Sequence, residues 1–229
     1  MSTYDHLTIF FGTLGTSVQE VACYYRYSAE NLAALNGDLD RLKEEYPETY
    51  ENLMLCTHQK DSRSYAEYGQ SLVSNWVFED YKCKALIRAG CNIELAGADK
   101  DRRILPSSKV SNASDYIVHM PDSMTRKLEL VCDYTGFCQK TGCLDLRDNK
   151  YQHLLEDESL LLVIDISNRR FCIIDFKNFV EATKIENHPL WNKPVYRIGL
   201  VDNVVASGID RACYIAKALY SRERISARQ

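Results

Sequence analysis

The chain has 229 residues, with 28 Lys+Arg set against 32 Asp+Glu and a formal charge of −4. That length fits one domain with an appendage or two small ones, and 45% hydrophobic with 26% charged residues excludes a disordered chain. The negative balance argues against a uniformly basic nucleic-acid-binding coat and leaves room for a local basic groove. In chain order, the apolar run at 7–12 predicts a short strand, and Ser28 before Ala29 and Glu30 predicts a helix start. A helix over 38–56, broken at Pro47, follows, and the polar stretch 58–63 reads as a connection. The boundary between an N-terminal, mainly helical extension (1–62) and the main body (63–229) is set there.

Residues 63–89 carry the longest helical pattern, with Tyr65, Tyr68, Leu72, Trp76, Phe78, Cys83, Leu86 and Ile87 at mixed three- and four-residue spacing, and Gly90 stops it. The period then changes to two: 91–96, 115–120 and 127–132 read as strands. Residues 145–155 read as a short helix with Asp145 at its start, and 159–166 as a strand apolar enough to be buried on both faces. After a turn at 168–170, residues 171–176 return as its hairpin partner. A helix at 177–184, a strand at 194–200 and an amphipathic helix over 207–223 close the predicted set.

The longest apolar run, Leu160 to Ile164, is far short of the roughly 20 residues a membrane helix needs. The first residues lack a basic and an apolar signal region, so a cytoplasmic location without membrane association is expected. Nine cysteines in such a chain read as reduced thiols, and the odd count argues against a disulfide framework. Cys132, Cys138 and Cys143, with His153 ten residues on, lack the tight Cys pair of a structural zinc site, and the cysteines read as small buried or half-exposed thiols.

Three carboxylates fall at informative places: Glu79 on the long helix, Asp115 opening the second strand, Glu129 inside the third. Glu129 shares a strand face with Lys127 and Val131, while Leu128, Leu130 and Cys132 face the other way. Carboxylates converging at strand ends suit a hard divalent cation that keeps waters for a substrate phosphate. Each has an ordinary reading too: Glu79 as a solvated residue beside Lys82, Asp115 as the opening of a strand. Glu129, between two leucines, needs a metal, a cation or solvent to satisfy it.

Over residues 66–176 the order helix, three strands, helix, strand, with Gly69, Glu79, Ser114-Asp115 and Lys127-Leu128-Glu129, resembles the PD-(D/E)xK nuclease superfamily. The resemblance implies an α/β fold of the restriction-endonuclease-like type, an αβββαβ core with extra helices at both ends. It implies metal-dependent hydrolysis of DNA phosphodiesters, with Asp115 and Glu129 as ligands of Mg²⁺ or Mn²⁺ and Glu79 as an auxiliary acid. Lys150 and Gln152 would face the substrate. The family's lysine two residues after the second acid is replaced by Val131, and Ser114 stands where the family often has proline. Lys140 and Lys150 are the candidate replacements for the lysine. The alternative is a catalytically decayed nuclease fold that binds nucleic acid or a protein partner. Basic residues at Lys100, Arg102, Arg103, Lys109, 169–170 and in the tail are candidate phosphate contacts, Arg102 and Arg103 foremost, and a homo-oligomer is compatible with the sequence.

Overall fold

The computed structural model describes residues 1–56, 63–97, 100–106, 114–179, 181–189 and 192–220. These fall into two compact units, Met1–Lys84 with Leu95–Ala113, and Ala85–Glu94 with Ser114–Gln229.

The first unit is helical: α1 (Thr3–Gly12), α2 (Val18–Tyr24), α3 (Ala29–Leu35), α4 (Leu39–Glu45), α5 (Pro47–Cys56) and most of α6 (Tyr65–Arg88). Short polar residues start the helices. The Ser2 hydroxyl accepts from the Asp5 N–H while the Asp5 carboxylate accepts from the Ser2 N–H, and Ser17 and Glu20 repeat this box. Ser28 and Asp38 cap α3 and α4 singly, and Pro47 occupies the first turn of α5, where its missing N–H costs nothing. The strand predicted at 7–12 is therefore wrong. Leu7, Phe10 and Phe11 are buried at helical three- and four-residue spacing, and a short apolar run cannot reveal that period when the capping box lies outside it. Phe10 and Phe11 pack edge-on against Phe78 and Tyr81 of α6.

The second unit is mixed α/β. Its main sheet has the order β1-β2-β3-β5-β6-β9, and a smaller sheet has the order β4-β8-β7. The strands are β1 (Ile93–Leu95), β2 (Tyr116–His119), β3 (Thr125–Asp133), β4 (Cys143–Arg147), β5 (Leu160–Asp165), β6 (Arg170–Asp175), β7 (Ala182–Ile185), β8 (Val195–Gly199) and β9 (Val204–Ile209). The helices are α7 (Phe137–Thr141), α8 (Asp148–Glu156), α9 (Leu200–Asn203) and α10 (Ala212–Tyr220). Gly90, at φ +95°, ends α6 in the left-handed region and turns the chain into β1. β3 runs antiparallel to β2 and parallel to β5, whereas β5–β6 and β6–β9 are antiparallel. A parallel pair needs a long crossover, and α7, β4 and α8 supply it.

β5 is buried along its whole length, as its unbroken apolar run requires. Leu161 and Val163 face Leu144, Leu146 and Ile198 of the smaller sheet and Tyr151 and Leu154 of α8, so the core lies between main sheet and crossover. Each such fully buried aliphatic side chain contributes about 1.5–3 kcal/mol.

Three predicted elements differ. Asp145 lies in β4, and the helix starts at Asp148, because Leu144 and Leu146 alternate into the core while Asp145 pairs across to Arg197 of β8. Residues 177–184 are not a helix: a 3₁₀ turn, Phe176–Asn178, is followed by β7, whose ladder with β8 overrides helix-forming Glu and Ala. The helix expected from 207 begins at Ala212, because β-branched Val204 and Val205 start a strand paired with β6. No helix among the described residues is long and apolar enough to cross a membrane.

Candidate functional site

β3 organises the site. The β2–β3 ladder starts with Tyr116 opposite Leu128, and Asp115 lies just before it. Asp115 folds back onto β3, where its Oδ2 accepts from the Leu130 N–H at 2.8 Å. Glu129 pairs with Leu161 of β5, which faces the core, so Glu129 also points to the sheet face covered by the crossover.

On that face Lys150, in the first turn of α8, places Nζ 2.5 Å from Glu129 Oε1. The Glu129 side chain is only 13% exposed, so its charge requires a close counter-charge, and Lys150 provides it. Lys150 belongs on this face because Tyr151 and Leu154 bury the neighbouring stripe of α8.

Sequence reading did not single out a second set of contacts along the same seam. Lys127, two residues before Glu129, reaches Asp157 Oδ1 at 2.7 Å, and Asp157 Oδ2 lies 3.1 Å from His153 Nε2. His153 follows Lys150 by three residues, a spacing that shares a helix face. That spacing was available in the sequence. Asp157 sits just past the helix end and carries no periodic signal.

The remaining candidates lie elsewhere. Lys140, on α7, donates to the Thr135 carbonyl at 2.7 Å and is not the cation ion-paired with Glu129. Gln152 faces the smaller sheet, donating to the Tyr196 hydroxyl at 3.2 Å, so helix geometry parts it from Lys150. Val131 packs against the apolar cluster of the core. The Ser114 hydroxyl, beside Asp115, is buried and has no hydrogen-bond partner among the described residues.

Glu79 and Arg102 belong to the first unit, where they are bound to each other. Arg102 reaches Glu79 at 2.8 Å and Asp80 at 2.6 Å, with a side chain 11% exposed, and Tyr27 donates to Asp80 at 2.7 Å. Burial disfavours the Arg102 charge, but Glu79 and Asp80 outweigh it and hold the guanidinium more firmly protonated than usual. Burial, reinforced by Asp80, drives the Tyr27 phenol far above its ordinary range. Arg102 is thus ion-paired with two carboxylates of its own unit. Arg103 is exposed. Lys109 and the basic tail residues lie outside the described residues.

Two further acidic positions are structural. Asp133 and Asp165 stand side by side at the ends of β3 and β5, each accepting from the loop that follows it: Asp133 from Thr135 and Cys138, Asp165 from Asn168. Burial would raise the Asp133 carboxyl, but the backbone donors prevail and lower it. A Cβ at Gly136 would meet Asn168 Nδ2 at 2.6 Å, so glycine at φ +69° lets the two loops close together. In the smaller sheet, buried Asp145 receives a two-pronged contact from Arg197 at 2.8 and 2.7 Å and lies 3.1 Å from His188 Nε2. A cavity of about 260 Å³ beside Arg197 is lined by Glu181, Thr183, Asp202 and Asn203, and includes none of Asp115, Glu129 or Lys150.

Among the described residues no group of three or more His, Cys, Asp or Glu side chains is arranged to hold a metal ion. Compared with protein-family models, curated proteins and solved structures, the chain matches none.

Proposed function

We propose that the chain is a metal-dependent nuclease hydrolysing DNA phosphodiesters, with Asp115, Glu129 and Lys150 as its site. The observation that carries this reading is the contact of Lys150 with Glu129 on β3, the strand onto which Asp115 folds through the Leu130 N–H. The order α6, β1, β2, β3, α7, β4, α8, β5, with β3 and β5 parallel, is compatible with the restriction-endonuclease-like core that the sequence resembles, once α7 and β4 are taken as insertions in the crossover. Lys150 then stands in for the lysine missing at Val131, reaching the carboxylate from the helix rather than the strand.

The donor set fits a small hard cation. Asp115 and Glu129 offer oxygen only, and Mg²⁺ is commonly held by one or two carboxylates, with water and substrate phosphates filling its other positions. The buried Ser114 hydroxyl adds a polar atom beside Asp115. Asp115 and Glu129 would hold Mg²⁺ or Mn²⁺, which when bound lowers the pKa of water and polarises a phosphodiester. The chain's own part is to fix Glu129 on β3, to aim Asp115 through the Leu130 N–H, and to bring one ammonium next to Glu129. That ammonium can offset charge developing on a phosphate.

A second reading, a decayed nuclease fold that binds nucleic acid or a protein, draws on Val131, whose partly buried side chain packs against the core cluster. Incubation with single-stranded, double-stranded and branched DNA in Mg²⁺ or Mn²⁺ separates the two. The nuclease reading expects cutting that Asp115→Ala and Glu129→Ala abolish with the fold kept. No cutting of any substrate supports the decayed module.

A further inference from the structure

We infer that the cavity on the outer face of the smaller sheet is a binding site for a small organic cation that also carries a carboxylate, the chemistry of a basic amino acid. The inference stands apart from the nuclease reading and shares no residue with it. Asp145 of β4, Arg197 of β8 and Thr183 of β7 form one cross-strand row, and residues directly opposite share a sheet face. Leu144 and Leu146, on either side of Asp145, pack into the core, so strand alternation turns this row to the other face. The Asp145 side chain is only 5% exposed, and it fixes the Arg197 guanidinium by accepting from Nε at 2.8 Å and Nη2 at 2.7 Å. The guanidinium also lies over the Phe137 ring, 5.9 Å from its centroid. The cation is thus positioned by the fold itself, which lowers the cost of ordering it on binding.

The fork uses one edge of the guanidinium. Nη1 makes no hydrogen bond among the described residues, and the Arg197 side chain, 40% exposed, lines the cavity of about 260 Å³. The side chains of Glu181, Thr183 and Asp202, which also line it, make no hydrogen bond or ion pair among the described residues. Asn203 is used by the fold, its amide donating to the Glu181 and Gly199 carbonyls at 3.3 and 2.8 Å. Asp145 balances Arg197, so the exposed acids Glu181 and Asp202 give the cavity a negative wall. A simple anion would meet those two carboxylates, and a simple amine would leave Nη1 without an acceptor. A ligand with a carboxylate for Nη1 and the Thr183 hydroxyl, and ammonium groups for the acids, answers both. The volume lies below the about 300–1,000 Å³ of sites for drug-sized ligands, which restricts the occupant to a small molecule.

The test titrates the full chain with L-lysine in a calorimeter, beside cadaverine, which is lysine without its carboxylate, and L-glutamate, which carries a net negative charge. L-lysine should saturate the chain with a Kd on the order of 1 mM or lower. Cadaverine should bind about tenfold more weakly, because Nη1 loses its charged acceptor. L-glutamate should not saturate over the same range. The double variant Glu181→Gln with Asp202→Asn, both at exposed positions, should bind L-lysine at least about tenfold more weakly with an unchanged urea midpoint. The cadaverine comparison decides the role of Arg197 without a substitution that would strand buried Asp145, and it holds even if the double variant does not fold. No saturation by L-lysine, cadaverine binding as tightly as L-lysine, or L-lysine binding indifferent to the double variant overturns the inference. L-glutamate binding more tightly than L-lysine overturns it too and makes the cavity an anion site.

Discussion

Lys150 and Glu129 meet across the seam between α8 and β3, with Nζ 2.5 Å from Oε1. The contact follows from two periodicities. Glu129 is kept on the crossover face of β3 by strand alternation, and Lys150 lies beside the stripe of α8 that Tyr151 and Leu154 bury. A lysine two residues after Glu129 would come from the same strand face. Here the position belongs to Val131, and the cation comes from the helix above.

Val131 is the first point at which this can be tested. Its side chain packs against the cluster that includes Leu161 and Val163, so Val131→Lys forces an ammonium among apolar groups. We expect a loss of about 2 kcal/mol or more in urea denaturation and no gain in metal-dependent cleavage. A variant as stable as wild type that cuts faster would mean that the strand position still opens to the site.

Arg102 gives the second. Its removal in Arg102→Met leaves Glu79 and Asp80 adjacent and partly buried without their cation. Stripping one partner from such a cluster costs about 3–5 kcal/mol, so a large fall in stability is expected. The exposed Arg103, changed to Glu, should leave stability within about 0.5 kcal/mol of wild type. Chemical denaturation of both variants checks this, and equal effects would contradict the assignment of Arg102 to the fold.

These sites show what could be read beforehand. Glu129 was identifiable because a carboxylate on a predicted central strand needs a metal, a cation or solvent to satisfy it. The pairing with Lys150 was readable only as one of two options, since the choice between Lys140 and Lys150 depends on how the crossover folds back. That crossover contains β4, which was hidden because its partner, β8, lies far along the chain. Arg102 looked like a phosphate contact because its partners, Glu79 and Asp80, are distant in sequence. The helix start at Ser28, the break at Pro47 and the stop at Gly90 were legible from local chemistry, whereas β7 and β9 exist through pairing with strands that local propensity does not see.

Asp145 predicts a dependence on pH. Burial would raise its carboxyl, but Arg197 and His188 outweigh that and lower it below the usual value. A lowered folded-state pKa contributes stability that is full above the unfolded value, near about 3.9, and fades as pH falls through the folded one. Asp145→Asn should therefore be less stable than wild type at neutral pH, with the gap narrowing as pH drops below about 4. Thermal melts between about pH 7 and pH 3 measure this. A gap that stays constant, or widens in acid, would show that the Asp145 charge is not what Arg197 and His188 hold.

The central claim is that Asp115, Glu129 and Lys150 form one working site, and the initial rate of plasmid nicking in Mn²⁺, measured for wild type beside Lys150→Ala, tests it most directly. Loss of a positioned catalytic group typically costs about 10²–10⁴ in rate. Wild type should nick, and Lys150→Ala should be slower by about that factor with its fold intact. Lys150→Ala nicking at the wild-type rate, or a wild type that leaves the plasmid uncut, would contradict the account.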